Sequence, residues 1–235
     1  MLTRLDKYLC DAGIGTRSEV KNYIKKGRVS VNGSVVKNAD LKLNENKDHV
    51  LFDGKAVSVC GLVYYMLHKP AGYISATKDD RDQTVLDLLA DAPGKDLAPV
   101  GRLDKDTEGL LLITNDGALS HRLLSPKKHV DKTYLVHTKD PVTAQMATLL
   151  ENGVDIGDEK PTLPAKVTLL SETCQLLLTI TEGRFHQVKR MMIAVGTEVV
   201  YLKRLSMGPL VLDETLPKGS FRPLTEKEKA ELGVL

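Results

Sequence analysis

The sequence lacks the features that would place it in a membrane or outside the cell. None of its apolar runs approaches the roughly 20 residues that a membrane-spanning helix needs. Its first residues contain no apolar segment typical of a secretion signal. The 235 residues are 42% hydrophobic and 27% charged, a globular composition that suffices for one or two domains. We therefore expect a cytoplasmic protein without membrane association.

Motifs for metals and cofactors are also missing. The three cysteines (Cys10, Cys60 and Cys174) form no Cys-x-x-Cys pair, so we expect reduced, buried thiols rather than a zinc site. The six histidines show no paired metal-binding spacing, and the chain has neither a phosphate-binding loop nor a dinucleotide glycine fingerprint. An enzyme with this sequence is expected to work without a cofactor or a metal.

Positive charge is concentrated at one end of the chain. Residues 1–38 hold eight Lys and Arg against three Asp and Glu, a net charge of +5, whereas the remainder holds 25 against 28, a net charge of −3. A basic stripe of residues recurs every three or four positions: Arg17, Lys21, Lys25 and Arg28. Such a stripe is either a solvated helix face or a nucleic-acid contact, and the uneven charge favours an RNA- or DNA-binding module.

Local patterns near the N-terminus specify two short helices and a hairpin. Residues 3–6 fit a helix start, residues 16–19 form a capping box, and Gly27 is placed to end the second helix. Asn32-Gly33 between two β-branched runs predicts a tight hairpin turn. Together with the basic stripe, this order resembles the alpha-L RNA-binding module of a small-subunit ribosomal protein and of tyrosyl-tRNA synthetases. The resemblance implies that the two helices and the adjoining turn bind structured RNA.

A charged loop joined to an apolar strand organises the rest of the chain. The loop runs from Gly101 to Glu108, the apolar run covers Leu110 to Ile113, and Asn115-Asp116-Gly117 ends it. The run predicts a buried strand, and loops at strand ends commonly carry catalytic side chains. A surface turn whose charges neutralise each other is the alternative from residue types alone.

Further strands and helices follow without regular alternation, which predicts an α+β fold. Strands are expected at residues 62–67, 97–100, 132–138, 176–180 and 198–205. Helices are expected at residues 84–89, 117–124, 142–151 and 186–196 and in the tail from Thr225. A junction at residues 56–61 separates an RNA-binding module and linker, residues 1–60, from a second domain, residues 61–235.

Two long motifs in this second domain resemble those of the RsuA-like pseudouridine synthases, which act on ribosomal RNA. Gly-Arg-Leu-Asp-x-x-Thr-x-Gly-Leu-Leu-Leu-x-Thr-Asn-Asp-Gly is met at residues 101–117, and Glu-Gly-Arg-x-His-Gln-Val-Lys-Arg-Met at residues 182–191. Residues 67–72 resemble a further motif, with His68 in place of the expected Asn. The resemblance implies a mixed, largely antiparallel sheet and conversion of a uridine to pseudouridine, with no cofactor.

The resemblance also assigns roles to residues of these motifs. Asp104 matches the carboxylate that attacks the substrate or takes a proton from the ribose, and Lys189 matches the cation that keeps it ionised. Tyr134 matches the active-site tyrosine, which can stack on uracil and help to remove the C5 proton. Arg102 is expected to hold the loop or help a flipped base leave the stack. We further expect RNA contacts from Arg184, His186 and Gln187.

Three acids near Asp104 are expected to have other roles. Asp106 and Glu108 are interpreted as exposed turn acids, and Asp116 as a turn or cap residue. In isolation, Tyr134 would be a core residue and Lys189 part of a solvated helix face.

Two other functions compete with this interpretation. The first is a catalytically silent RNA-binding ribosome-assembly factor, and the intact set of Asp104, Tyr134 and Lys189 argues against it. The second is a uridine methyltransferase, which would need a methyl-donor loop that the sequence lacks. The expected partner is small-subunit ribosomal RNA, in the form of an assembly intermediate, and the expected state is a monomer.

Overall fold

The computed structural model describes residues 2–44, 47–57, 61–125 and 128–234, which divide into two compact units. Unit 1 comprises the described residues of Met1–Val63 together with Pro93–Lys95, and unit 2 comprises Tyr64–Ala92 and those of Asp96–Leu235. Helices are mixed with mostly antiparallel strands, which confirms the predicted α+β class. The boundary predicted at residues 60 and 61 stays a prediction, since residues 58–60 lie outside the described residues.

Unit 1 packs two helices against short sheets. Its elements are β1 (Leu2–Arg4), α1 (Leu5–Asp11), α2 (Arg17–Lys25), β2 (Val29–Val31), β3 (Ser34–Val35), β4 (Lys42–Asn44), β5 (Val50–Phe52) and β6 (Lys55–Val57). Strand β1 pairs with β4, and a second sheet has the order β3-β2-β5-β6. Leu5, Leu9, Val20 and Ile24 of the helices are fully buried and form the core with Val29.

The N-terminal helix begins later than the sequence predicts. Thr3 does not cap it; instead Thr3 lies in β1, and Arg4 occupies the cap position without a side-chain hydrogen bond that caps the helix. Pairing of residues 2–4 with β4 takes this segment out of the helix. The capping box at Thr16 and Glu19 is confirmed. The hairpin turn is confirmed too, since Asn32 and Gly33 both have the positive φ that a tight hairpin turn requires.

Unit 2 is built on one nine-stranded sheet. Its strands are β7 (Tyr64–Lys69), β8 (Ala98–Pro99), β9 (Glu108–Thr114), β10 (Lys132–Thr138), β11 (Lys166–Leu169), β12 (Gln175–Ile180), β13 (Val199–Met207), β14 (Leu210–Val211) and β15 (Phe221–Pro223). The order along the sheet is β11-β12-β10-β13-β9-β7-β15, with β8 on β9 and β14 on β13. The helices are α3 (Gly117–Leu124), α4 (Ala144–Asn152), α5 (Gln187–Ala194) and α6 (Glu226–Glu231).

Strand β9 lies in the interior of this sheet, as the apolar run predicts. Residues 109–114 are all buried. Strand β9 is antiparallel to β7 and parallel to β13, where Gly109 pairs with Arg204. A Cβ atom on Gly109 would come within 2.2 Å of the Arg204 carbonyl oxygen, and the φ of Gly109 is +107°. Glycine is therefore required at the point where the charged loop enters the sheet.

Several smaller predictions differ from the structure. The helix predicted at residues 84–89 is only a single 3₁₀ turn, Asp87–Leu89. Cys10 and Cys174 are free thiols, but they are half-buried rather than buried, and Cys60 lies outside the described residues. Among the described residues, no helix is long and apolar enough to cross a bilayer. The described residues also contain no cluster of three or more His, Cys, Asp or Glu side chains that could hold a metal ion.

Candidate active site

The loop of residues 101–107 is held by a buried lysine at the end of β7. Lys69 is fully buried. Its ammonium group donates hydrogen bonds to the carbonyl oxygens of Asp104 at 3.0 Å, Lys105 at 3.3 Å and Thr107 at 2.8 Å, and to that of Pro70 at 3.0 Å. Burial lowers the Lys69 pKa to about 8. A single cation thus binds the loop backbone at Asp104 and at two of the three residues that follow it.

Two further contacts fix the same loop. The hydroxyl of Ser75 donates to the Leu103 carbonyl oxygen at 2.8 Å and accepts from the Leu103 amide at 2.9 Å. The amide of Gly72 donates to the Lys105 carbonyl oxygen at 2.7 Å. Hydrogen bonds therefore fix the backbone on both sides of Asp104, at Leu103 and at Lys105.

The structure brings the predicted side chains of unit 2 into one cavity of about 530 Å³, a volume in the usual range for ligand pockets. Its lining includes all seven of them: Arg102, Asp104, Tyr134, Arg184, His186, Gln187 and Lys189. They come from the charged loop, from β10 and from the turn at the start of α5, so residues about 80 positions apart along the chain meet here.

The Asp104 carboxylate is partly exposed, at 27%, and it faces two basic side chains. Nζ of Lys189 lies 3.4 Å from one carboxylate oxygen, and Nε2 of His186 lies 3.6 Å from the other. The geometry therefore places the Asp104 carboxylate beside a cation in the wall of the cavity.

Lys189 also binds a second carboxylate. Its Nζ atom donates to both oxygens of Asp106, at 2.6 and 2.8 Å, and these hydrogen bonds lower the Asp106 pKa. Asp106 is 72% exposed, as predicted, but it is more than a turn acid because it competes with Asp104 for the cation. An exposed ion pair contributes only about 0–1 kcal/mol, so Lys189 can leave Asp106 at little cost.

The other two acids have different environments. The prediction of an exposed turn acid is wrong for Glu108, which lies in β9 and is largely buried. Its carboxylate accepts from the Tyr201 hydroxyl and pairs with Lys218, both at 2.7 Å. Asp116 caps α3 by accepting from the Leu119 amide at 2.9 Å, and this confirms its predicted role.

Arg184 and Gln187 are occupied by contacts within the protein, which argues against their predicted RNA contacts. The Arg184 guanidinium donates to Glu182 and to the carbonyl oxygens of Lys160 and Pro161. Gln187 is buried, and its amide donates to Glu182 at 2.8 Å and accepts from the Arg184 backbone at 2.9 Å. Both side chains instead shape the turn that presents His186 and Lys189.

Arg102 and Tyr134 are placed differently on the cavity wall. The Arg102 side chain is exposed, so it is available to a ligand at the cavity mouth. Tyr134 is 7% exposed and faces the cavity from β10, beside Leu202 and Arg204 of the neighbouring strand. An aromatic ring in the wall and a cation at the mouth suit a planar ligand attached to a phosphate chain.

Sequence reasoning missed two buried cations, Lys69 and Arg204, and the half-buried Lys132. Nε of Arg204 donates to the Leu110 carbonyl oxygen at 2.8 Å, while its buried Nη2 atom has no hydrogen-bond partner among the described residues. Burial and the nearby Arg204 lower the Lys132 pKa. The alternation of β13 places Arg204 on the same buried face as Leu202, and that pattern is visible in the sequence.

The basic stripe of unit 1 is exposed along its whole length. Arg17 lies 3.4 Å from the buried Asp6. Arg28 pairs with Asp53 and lies over the rings of Tyr23 and Phe52, 4.6 Å from each ring centroid. Lys21 and Lys25 make no ion pair with any described residue. The two lysines are therefore the stripe residues most available to phosphate.

Replacing Lys69 by methionine would leave buried carbonyl oxygens of the loop without a donor. Each unpaired buried acceptor costs roughly 1–3 kcal/mol, so the free energy of unfolding should fall by about 3 kcal/mol or more. Lys105→Met is the matched control, because its exposed ion pair with Asp82 should contribute at most about 1 kcal/mol. Urea titration of both variants checks this, and equal midpoints would contradict the role given to Lys69.

Comparison with known proteins identifies both parts of the chain. The family model described as RNA pseudouridylate synthase matches residues 63–194, more than half of the chain, and that of the S4 domain matches residues 3–55. A crystal structure of a pseudouridylate synthase superimposes with a TM-score of 0.68 at 39% identity, covering 97% of this chain and 99% of that one.

Curated relatives match along the full length. An uncharacterised RNA pseudouridine synthase of Bacillus subtilis is 49% identical over 96% of each chain. Proteins named ribosomal small subunit pseudouridine synthase A are 45% identical in Vibrio cholerae, over 97% of this chain and 99% of that protein, and 43% identical in Escherichia coli, over 97% and 99%. The resemblance drawn from the motifs is confirmed: the chain belongs to the RNA pseudouridylate synthase family and carries an S4 domain at its N-terminal end.

Proposed function

We propose that this protein converts one uridine of small-subunit ribosomal RNA to pseudouridine. The reaction breaks the bond between N1 of uracil and C1′ of ribose, joins C1′ to C5, and moves the C5 proton so that N1 ends protonated. The observation that carries the proposal is the Asp104 carboxylate, which lies beside Lys189 in a cavity walled by Tyr134. Relatives named ribosomal small subunit pseudouridine synthase A, matched along nearly their whole length, support this choice of substrate.

Asp104 acts as the catalytic carboxylate in this proposal. Its backbone is fixed by Lys69, so the loop loses little further conformational freedom when substrate binds. Lys189, 3.4 Å away, places a positive charge beside the carboxylate throughout the reaction. His186, 3.6 Å away on the other side, limits the rotation of the carboxylate.

Tyr134 binds the uracil and Arg102 binds the adjoining phosphate in this proposal. The target nucleotide must leave its stack to reach Asp104, at a cost of roughly a few kcal/mol. Stacking on the Tyr134 ring returns about 1–3 kcal/mol, and its hydroxyl is available to help remove the C5 proton. Arg102, exposed at the mouth, holds the phosphate chain next to the flipped nucleotide.

The N-terminal module selects the RNA. Its basic stripe of Arg17, Lys21, Lys25 and Arg28 binds phosphate, which supplies affinity that depends on salt. Residues 1–60 then choose the substrate and residues 61–235 modify it. We further propose that the protein acts in the cytoplasm, as a monomer, on an assembly intermediate of the small subunit.

Two variants, Asp104→Asn and Asp106→Asn, test whether Asp104 or Asp106 is the catalytic carboxylate. Purified wild-type, Asp104→Asn and Asp106→Asn proteins are incubated with small-subunit ribosomal RNA, naked and partly assembled, and pseudouridine is mapped by chemical modification. Asp104→Asn should lose at least a thousandfold in rate. Asp106→Asn should keep its rate within about tenfold, because it breaks only an exposed ion pair and leaves Lys189 to Asp104.

The reverse order of these two variants would mean that Asp106 is the catalytic carboxylate. Failure of the wild type to form pseudouridine in either RNA preparation would contradict the proposed activity and favour an RNA-binding assembly factor.

The module's role is tested by reversing charge at two exposed lysines of α2. The Lys21→Glu/Lys25→Glu protein should bind RNA at least tenfold more weakly, and the salt dependence of its affinity should fall because phosphate contacts are lost. Its single-turnover rate at saturating RNA should stay within about twofold of wild type. Lys227→Glu, an exposed lysine of α6, is the control. Unchanged affinity together with an unchanged rate would refute the division of roles.

A further inference from the structure

Phe185 is the most exposed large apolar side chain among the described residues, at 71%. It lies in the turn between β12 and α5 and lines the same cavity as Asp104 and Tyr134. A phenylalanine exposed to this extent contributes little to folding, since apolar stabilisation scales with the area removed from water. The position of this ring therefore requires another explanation.

The ring of Phe185 stacks on the ring of His186. Their centroids lie 3.8 Å apart and their planes differ by 18°. His186 in turn lies 3.6 Å from Asp104. One face of the phenyl ring is thus covered by a side chain that touches the proposed catalytic carboxylate, and its high exposure leaves the opposite face to solvent.

The backbone beneath this pair of rings is fixed. Nη1 of Arg190 donates to the Phe185 carbonyl oxygen at 3.2 Å, and the Arg190 amide donates to that of His186 at 3.0 Å. His186 has a φ of +47°, in the left-handed region that non-glycine residues seldom adopt. This conformation, together with the buried Gln187 that ties the turn, presents an exposed aromatic ring from a rigid support.

We propose that Phe185 is a stacking platform for the base of an RNA nucleotide adjoining the target uridine. The inference rests on the proposed function and names a further substrate contact for it. Extrusion of the target uridine leaves a neighbouring base without its stacking partner. A base on the outer face of Phe185 would continue a stack whose first spacing, 3.8 Å, is close to the 3.4 Å repeat along a nucleic-acid strand.

A base is the occupant that fits this position best. The ring borders the cavity in which the target nucleotide must sit, so a neighbouring nucleotide has to pass close to it. Aromatic platforms accept any base, because every base has a π face. Specificity for the target then stays with the cavity, while Phe185 contributes affinity and holds the strand open.

The proposal is tested by binding, in the full-length Asp104→Asn protein so that no reaction takes place. The probe is a single-stranded RNA oligonucleotide of uridines with one 2-aminopurine beside the central uridine. The fluorescence of 2-aminopurine is quenched when the base stacks on an aromatic ring. The variants are Phe185→Ala, Phe185→Leu and Phe185→Tyr, with Ile193→Ala as the control because Ile193 is also exposed, at 61%, but does not line the cavity.

The parent protein, Phe185→Tyr and Ile193→Ala should quench the probe and bind it with similar affinity. Phe185→Ala and Phe185→Leu should lose most of the quenching and bind about tenfold more weakly, as expected for the loss of one base–aromatic stack. Absence of quenching by the parent protein would overturn the inference, as would full quenching by Phe185→Ala. If Phe185→Leu quenched and bound the probe as well as the parent protein, this would also overturn the inference, because leucine offers apolar contact without an aromatic ring on which a base can stack.

Failure of the proposed function is a separate result. It would be seen as absence of pseudouridine formation by the wild-type protein, which has Asp104, whatever the probe shows in binding.

Discussion

The Lys69 ammonium group shares its three protons among four backbone carbonyl oxygens, and the site depends on these contacts. A buried ammonium is costly unless its protons are bound, and here the loop of residues 101–107 supplies three of the four acceptors. These contacts therefore offset both the cost of burying the cation and the cost of ordering the loop. The loop in turn holds Asp104 at the end of the most deeply buried part of the sheet, where Gly109 allows β9 and β13 to approach closely.

The side chains of the site differ in how firmly the protein holds them. Groups that must stay fixed, such as Lys69, Gln187 and Arg204, are buried and bound to other protein groups. Asp104 and Lys189, which we propose act on the substrate, are partly exposed and joined by a long 3.4 Å contact. The shorter contact of Lys189 goes to the exposed carboxylate of Asp106. The ion pairs of Lys189 can therefore change when RNA binds, while the backbone of the loop of residues 101–107 stays in place.

Much of this arrangement could be predicted from the sequence, because local patterns have local causes. The capping box at Thr16, the hairpin turn at Asn32-Gly33 and the apolar run of β9 each specify their element within a few residues. Contacts across the chain could not be predicted in the same way. The partners of Arg184 lie at Asp158, Lys160 and Pro161, and those of Glu108 at Tyr201 and Lys218. Residue type alone therefore could not show that Arg184 is held by contacts within the protein, or that Glu108 is largely buried. Likewise, pairing with β4 keeps Thr3 out of the helix, although the local sequence favours a cap there.

The proposal that Asp104 of this protein is needed to form one pseudouridine in small-subunit ribosomal RNA can be tested in cells. Pseudouridines are mapped across ribosomal RNA from cells with the gene, without it, and without it but supplied with wild-type or Asp104→Asn protein. We expect one small-subunit pseudouridine to disappear with the gene and to return only with the wild-type protein. An unchanged map, or restoration of the modification by Asp104→Asn, would contradict it.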